Sequence, residues 1–329
     1  MGTKEGVDKL PIIRQLRDVI LNSDRLYKIV QIVPSLEDGP LIAYDDEANG
    51  TLDIGLTKKS YLAMFKQCHD YWYAYLEREI ALNRLSRSQL EELYLMTLGY
   101  LVTANDHHSI INLHEDIVQQ LGNHETDIEI VSCFLTSHLK RINKSSLLWN
   151  WMKKLTVMQV YQQPLALLYR KIVARALRSC KVHYMNYYAN NFIHWVMLIN
   201  SQVLYLDDGG VLFKELQRQC RDDLLDRSLW TNFKNYIDCL HGTADTEYVN
   251  DELERICKVY GAEVHIGTHT TTADPDVLIL VEAEWLIKVD CKHRSPYEML
   301  LASTQNKAEL NQLLSRSTNA DIQCLISIA

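Results

Sequence analysis

The sequence is poor in the residues that interrupt regular structure, with 12 glycines and 6 prolines in 329 residues. That scarcity leaves little room for long structureless loops, and 47% hydrophobic with 23% charged residues excludes a mainly disordered chain. An excess of basic charge is missing too. The formal charge is -8, and no basic stripe is present to neutralise a run of phosphates, so no nucleic acid partner is expected. No uncharged run reaches the roughly 18 residues that a membrane span needs, and MGTKEGVDKL has no apolar signal core, so no membrane insertion is expected. Gly2 is followed by Gly6 where a myristoylation motif wants Ser or Thr. The eight cysteines form no CxxC pair and no zinc-ligand spacing; they read as reduced thiols of a cytoplasmic protein.

What the chain does contain is helical periodicity. Residues 1–60 read as an entry segment that mixes a short helical pattern (Ile12, Ile13, Leu16, Val19, Ile20) with strand-like pieces, VQIVP and GPLIAYD. From Tyr61 to about residue 240, apolar residues recur at helical spacing with few breakers. Two S/T-x-x-E stretches, Ser88 to Glu91 and Thr126 to Glu129, read as capping boxes that open helices. Each leads through a polar turn to a second, bulkier helix. Those second helices superpose when Ile111, Trp149, Asn190 and Trp230 are aligned, at steps of 38, 41 and 40 residues. A period near 40 is that of a helical-pair repeat, because one hairpin cannot bury its own apolar face and stacking supplies the remainder. The expected fold is therefore all-α, an alpha-alpha superhelix of antiparallel helical pairs over 61–240. An insertion at 241–273 and a degenerate last repeat with the C-terminal tail at 274–329 follow, with HRSPYEMLLAS as the fifth copy.

The second helices resemble the Asn-x-x-x-Trp-x-x-Arg repeat of protein prenyltransferase alpha subunits. The closer resemblance is to the divergent branch called protein prenyltransferase alpha subunit repeat-containing proteins, through the Pro40-Leu-Ile stretch, the turn Asn105-Asp-His-His-Ser109 and the long insertion before the last repeat. It covers roughly residues 35–310. The repeat Trp is kept at Trp149 and replaced at Ile111 and Asn190, while the repeat Arg, which stitches neighbouring repeats in that family, is His114, Met152, Ile193 and Phe233 here. The resemblance implies a subunit with no cofactor of its own, inactive alone, that supports a prenyltransferase beta subunit carrying zinc. The implied reaction is geranylgeranyl transfer from an isoprenoid diphosphate to C-terminal-cysteine proteins. It also implies that Lys144, five residues before Trp149, contacts the diphosphate, and that Asn186, Tyr187 and Tyr188 line the substrate site.

Other readings of these residues stand beside that one. Lys144 also fits a solvated position in the first turn of a helix capped by Asn143, and Asn186 to Tyr188 fit capping and packing between repeats. Trp149, Trp151, Trp195 and Trp230 are expected in the core. His107, His108 and His114 lack the spacing of a metal set. Near the C-terminus, Pro275-Asp276 followed by Asp290-Cys-Lys292, with Glu254 upstream, matches the carboxylate and lysine pattern of a metal-dependent nuclease core. One helix over 276–292 favours a repeat there and two paired strands favour the nuclease. A non-enzymatic helical-repeat scaffold is a further alternative.

Overall fold

A computed structural model describes residues 8–35, 39–162, 166–183, 185–203, 210–267, 274–317, 319 and 322–325. Gly2, Gly6, residues 268–273 of the expected insertion and parts of the C-terminal tail lie outside these. Among the described residues the chain is all-α apart from one small sheet, and it divides into two compact units. Residues 1–159 with 181–183 form the first, and residues 160–180 with 184–329 the second.

The first unit begins with α1 (Pro11–Leu21), where a proline at the first helical turn costs no hydrogen bond and Ile12, Ile13, Leu16 and Ile20 form the buried stripe. Three strands follow: β1 (Tyr27–Val33), β2 (Leu41–Asp46) and β3 (Thr51–Thr57). Their order is β1-β3-β2, with β1 parallel and β2 antiparallel to β3. Both strand-like pieces of the entry segment are thus strands, joined by a third that its own pattern did not announce. The buried residues Val30, Leu52, Ile54, Leu56 and Leu41 hold the sheet in the core. Lys28 is 2% exposed; its ammonium donates to the Ile20 carbonyl at 2.7 Å and to Glu129 at 2.6 Å.

Helices α2 (Lys58–Leu76), α3 (Arg87–Thr103), α4 (His108–Leu121), α5 (His124–Leu135), the four-residue α6 (Lys140–Asn143) and α7 (Ser146–Thr156) complete this unit. Helix α3 is buried continuously from Leu93 to Val102, so it is the central element, flanked by α2, α4 and α1. Gly99 is required there: a Cβ at that position would stand 2.2 Å from the Cys68 Sγ of α2.

Neither expected capping box is where the sequence suggested it: one lies two residues earlier, and α5 starts without a side-chain cap. The box that opens α3 is Ser86 with Gln89, two residues before Ser88, and Ser88 lies inside the helix. The same S/T-x-x-E/Q geometry is met one half-turn earlier, and the longer helix gains the Arg87–Glu91 pair at i,i+4. Thr126 is likewise inside α5. Gly122 ends α4 in the left-handed conformation, which reverses the chain within two residues, and Glu129 pairs with Lys28 instead of returning to an N-cap amide. Asn143 does not cap α7 either; Ser145 does, accepting from the Leu148 amide.

The second unit contains most of α8 (Ala166–Val182), then α9 (Tyr187–Asn200), α10 (Val211–Asp222), α11 (Arg227–His241), α12 (Glu247–Tyr260), α13 (Pro275–Lys288), α14 (Arg294–Ser303) and α15 (Lys307–Leu314). Within it α9, α11 and α14 pack side by side in succession, as α4 and α7 do in the first unit.

The repeat register is literal. The N-cap residues of these second helices are His107, Ser145, Asn186, Asp226 and His293, and the fourth residue after each cap is Ile111, Trp149, Asn190, Trp230 and Tyr297. All five are buried, as are the residues three further on, His114, Met152, Ile193, Phe233 and Leu300. Positions four and seven face one way along a helix, so a buried pair at that spacing is what each hairpin needs to stack on the next. Trp149, Trp151, Trp195 and Trp230 are all in the core.

Residues 275–288 form one helix, α13, with Asp274 as its N-cap and Pro275 in its first turn. The alternative of a nuclease core at 254–292, on Glu254, Asp276, Asp290 and Lys292, requires paired strands here and is not supported by this helix. The β-branched residues of this stretch sit on a helix because the Asp-Pro start nucleates one and Ile279, Ala283 and Leu286 then fall on a single buried face.

Candidate anion-binding site

Lys144 lies in a braced turn of the first unit. It follows α6 immediately and precedes the Ser145 cap of α7. Four hydrogen bonds from sequence-distant or buried groups hold this turn. The His138 amide donates to the Val30 carbonyl of β1 at 3.0 Å. The Asn105 side chain donates to the Arg141 carbonyl at 3.0 Å, the Asn143 side chain to the Leu135 carbonyl at 2.6 Å, and the Trp149 indole to the Asn143 carbonyl at 2.8 Å. Each is worth about 0.5–1.5 kcal/mol net, and together they fix a backbone that α6, at four residues, could not hold alone.

The braced turn presents Lys140 and Lys144 one helical turn apart, with the Lys144 amide donating to the Lys140 carbonyl at 3.0 Å. The C-terminal end of α8 brings His183 to the same place. The His183 ring is held below the ordinary histidine value of 6.5, first by burial and then by the positive charges of Lys144, His138 and Lys140. Its Nε2 is enclosed and has no hydrogen-bond partner among the described residues. His183 therefore lies within electrostatic reach of His138, Lys140 and Lys144 in a chain whose formal charge is -8. The amino-terminal end of α7 adds the positive end of its macrodipole. An anion bound beside positive groups favours their charged forms and is favoured by them in turn.

The sequence signalled Lys144 but not His183, which is 39 residues away and has no motif around it. Asn186, Tyr187 and Tyr188 belong to the second unit. There Asn186 is the buried N-cap of α9, accepting from the Ala189 amide and donating to the Ser179 carbonyl at 3.3 Å. Tyr187 and Tyr188 point outward and meet edge to face at 5.7 Å. The capping reading describes the geometry at Asn186. Glu254 is exposed on α12, Asp276 accepts from the Thr304 hydroxyl at 2.6 Å, and Asp290 pairs with Lys292. Asp276 and Asp290 stand at opposite ends of α13, roughly 20 Å apart at 1.5 Å per residue, so no single metal ion can join them.

A second polar cluster escaped the sequence reading. Asp127 in the first turn of α5 is fully buried and accepts from three helices: Tyr94 Oη of α3 at 2.8 Å, His114 Nε2 of α4 at 3.1 Å and Trp151 Nε1 of α7 at 2.6 Å. Thr97 Oγ1 lies 2.8 Å from His114 Nδ1. The hydroxyl, imidazole and carboxylate follow one another as in a nucleophilic triad, yet Thr97, His114 and Asp127 are each 0% exposed and no substrate can reach them. The cluster is structural, and burial together with Asp127 pushes the Tyr94 phenol well above its ordinary value. His114 stands where the prenyltransferase repeat has its stitching Arg, and it stitches neighbouring helices in its own way. His107 caps α4, accepting the Ile110 amide. Thiol chemistry is disfavoured at Cys68, whose pKa burial lifts to about 12. No helix among the described residues is long and apolar enough to cross a membrane.

Residues 6–136 match the family model of the ECM9 N-terminal domain and residues 148–260 that of the ECM9 middle domain. Protein ECM9 of Saccharomyces cerevisiae is 24% identical over 280 residues, which cover 80% of this chain and 69% of that protein. These matches overturn the prenyltransferase assignment, and with it geranylgeranyl transfer, the beta-subunit partner and the C-terminal-cysteine substrates. The physical reason is that a bulky buried residue four positions after each cap is what any stacked helical hairpin requires, so the period near 40 identifies an architecture and no particular family. Over two consecutive domains, the chain is similar to ECM9 proteins.

Proposed function

We propose that this protein is an anion-recognising binding protein whose first unit takes a phosphate-bearing ligand at His138, Lys140, Lys144 and His183. The observation that carries the reading is the positive field that the Lys140–Lys144 turn, braced at both ends and set at the start of α7, exerts at the enclosed His183 ring. Binding without catalysis is favoured because the buried hydroxyl, imidazole and carboxylate series is closed to solvent.

Calorimetric titration of the full chain with inorganic pyrophosphate tests it. An anion beside a histidine held neutral favours the charged form, so binding near pH 6.5 is accompanied by proton uptake, read from titrations in buffers of different ionisation enthalpy. Lys140→Ala is expected to weaken binding about fivefold, corresponding to ~1 kcal/mol for an exposed charge contact. His183→Ala is expected to abolish the proton uptake. Absence of binding, or binding unchanged in both variants, refutes the reading.

A further inference from the structure

The first unit holds a second feature unconnected with the basic turn, a cavity of about 370 Å³. One wall is a stripe of α2, from Gln67 through Asp70, Tyr71, Ala74 and Tyr75, ending on Arg78 just past the helix. The spacing of three and four residues puts these on one helical face. Opposite stand Leu93 of α3 and the connecting residues Ile80 and Leu85, which make an apolar floor, and Lys9 closes the rim. The volume lies at the lower end of the range of about 300–1,000 Å³ typical of small-molecule sites.

Three features say what the cavity would take. The phenol rings of Tyr71 and Tyr75 supply flat apolar walls; the Tyr75 hydroxyl is already used, donating to the Ile80 carbonyl at 3.0 Å, which holds that ring in place. Gln67 Oε1 is enclosed and accepts no hydrogen bond from any described residue, an arrangement that calls for a donor. Arg78 and Lys9 make no ion pair among the described residues, while the carboxylate of the same wall, Asp70, is paired with Lys66.

We propose that this cavity binds a small aromatic anion. Its ring lies against Tyr71 and Tyr75, an N–H or O–H on it donates to Gln67 Oε1, and its negative group meets Arg78 and Lys9. A neutral apolar ligand would leave both cations and the amide oxygen unanswered, and a purely inorganic anion would leave the aromatic walls and apolar floor empty.

The probe is 1-anilinonaphthalene-8-sulfonate, which carries an arylamine N–H, fused rings and a sulfonate, titrated into the full chain and followed by fluorescence and calorimetry. One saturable site per chain is expected. Arg78→Ala should weaken it about tenfold, Gln67→Leu should weaken it less, and Ala74→Trp should fill the cavity and abolish binding. Tyr44→Ser, on an exposed position of β2, should change nothing. Ala74 and Arg78 are exposed, so both variants are expected to keep the fold, checked by circular dichroism; should Ala74→Trp misfold, Arg78→Ala decides. No saturable site, or a site indifferent to Arg78→Ala, overturns the proposal.

Discussion

Replacing Asp127 by alanine removes the acceptor on which α3, α4 and α7 meet α5. Tyr94, His114 and Trp151 each direct a donor at its two oxygens from 2.6 to 3.2 Å, and none of the four residues is more than 3% exposed. Each donor left buried without a partner costs about 1–3 kcal/mol, but the three losses share one acceptor and the site relaxes, so they do not add. Breaking a buried charged centre by removing one member costs about 3–5 kcal/mol, and that is the expected loss for Asp127→Ala. For a cooperative unit of this size, 1 kcal/mol is about 2–4 °C in Tm, which puts the drop on the order of 10 °C. Urea denaturation followed by tryptophan emission and far-ultraviolet circular dichroism measures it in the first unit. A cycle with Tyr94→Phe sharpens the test: that substitution should cost about 1–2 kcal/mol in the native sequence and close to nothing once Asp127 is alanine. A loss below about 1 kcal/mol for Asp127→Ala, or strict additivity in the cycle, would show that the carboxylate does not join these helices.

Burial holds the rings of His124, His183 and His194 below the ordinary 6.5, so between that value and their folded values the unfolded chain binds more protons. Stability should therefore decline as pH falls through about 6.5, and a Tm that is flat or rises between pH 7.5 and 5.5 contradicts this; His194→Gln should make the decline shallower. Asn143→Ala releases the Leu135 carbonyl and loosens the braced turn, costing about 1–3 kcal/mol of stability, and pyrophosphate affinity should fall although Asn143 carries no charge. Gly99→Ala drives a methyl group to 2.2 Å from Cys68 Sγ and should destabilise by about 1–3 kcal/mol, with Cys68→Ala restoring part of the loss in the double variant; equal stability of the single and double variants would place the strain elsewhere.

The class and the repeat register of this chain were legible without coordinates because both rest on local rules. Scarce Gly and Pro, helical periodicity and a bulky residue every 38 to 41 positions are enough to set Ile111, Trp149, Asn190 and Trp230 in one helical position, since each follows its own cap by four residues. The same locality explains the errors. Ser86 and Ser88 both satisfy a capping pattern, and the helix takes the earlier one, which adds the Arg87–Glu91 pair. A repeat signal that any stacked hairpin would show cannot name a family. What the tertiary structure alone decided are the meetings between distant residues. His183 reaches the Lys140–Lys144 turn, Tyr94, His114 and Trp151 close on Asp127, and the α2 stripe faces Leu93 across a cavity. Which groups share a site depends on how helices cross once their apolar faces are buried, and that geometry has no signature in the spacing along any one of them.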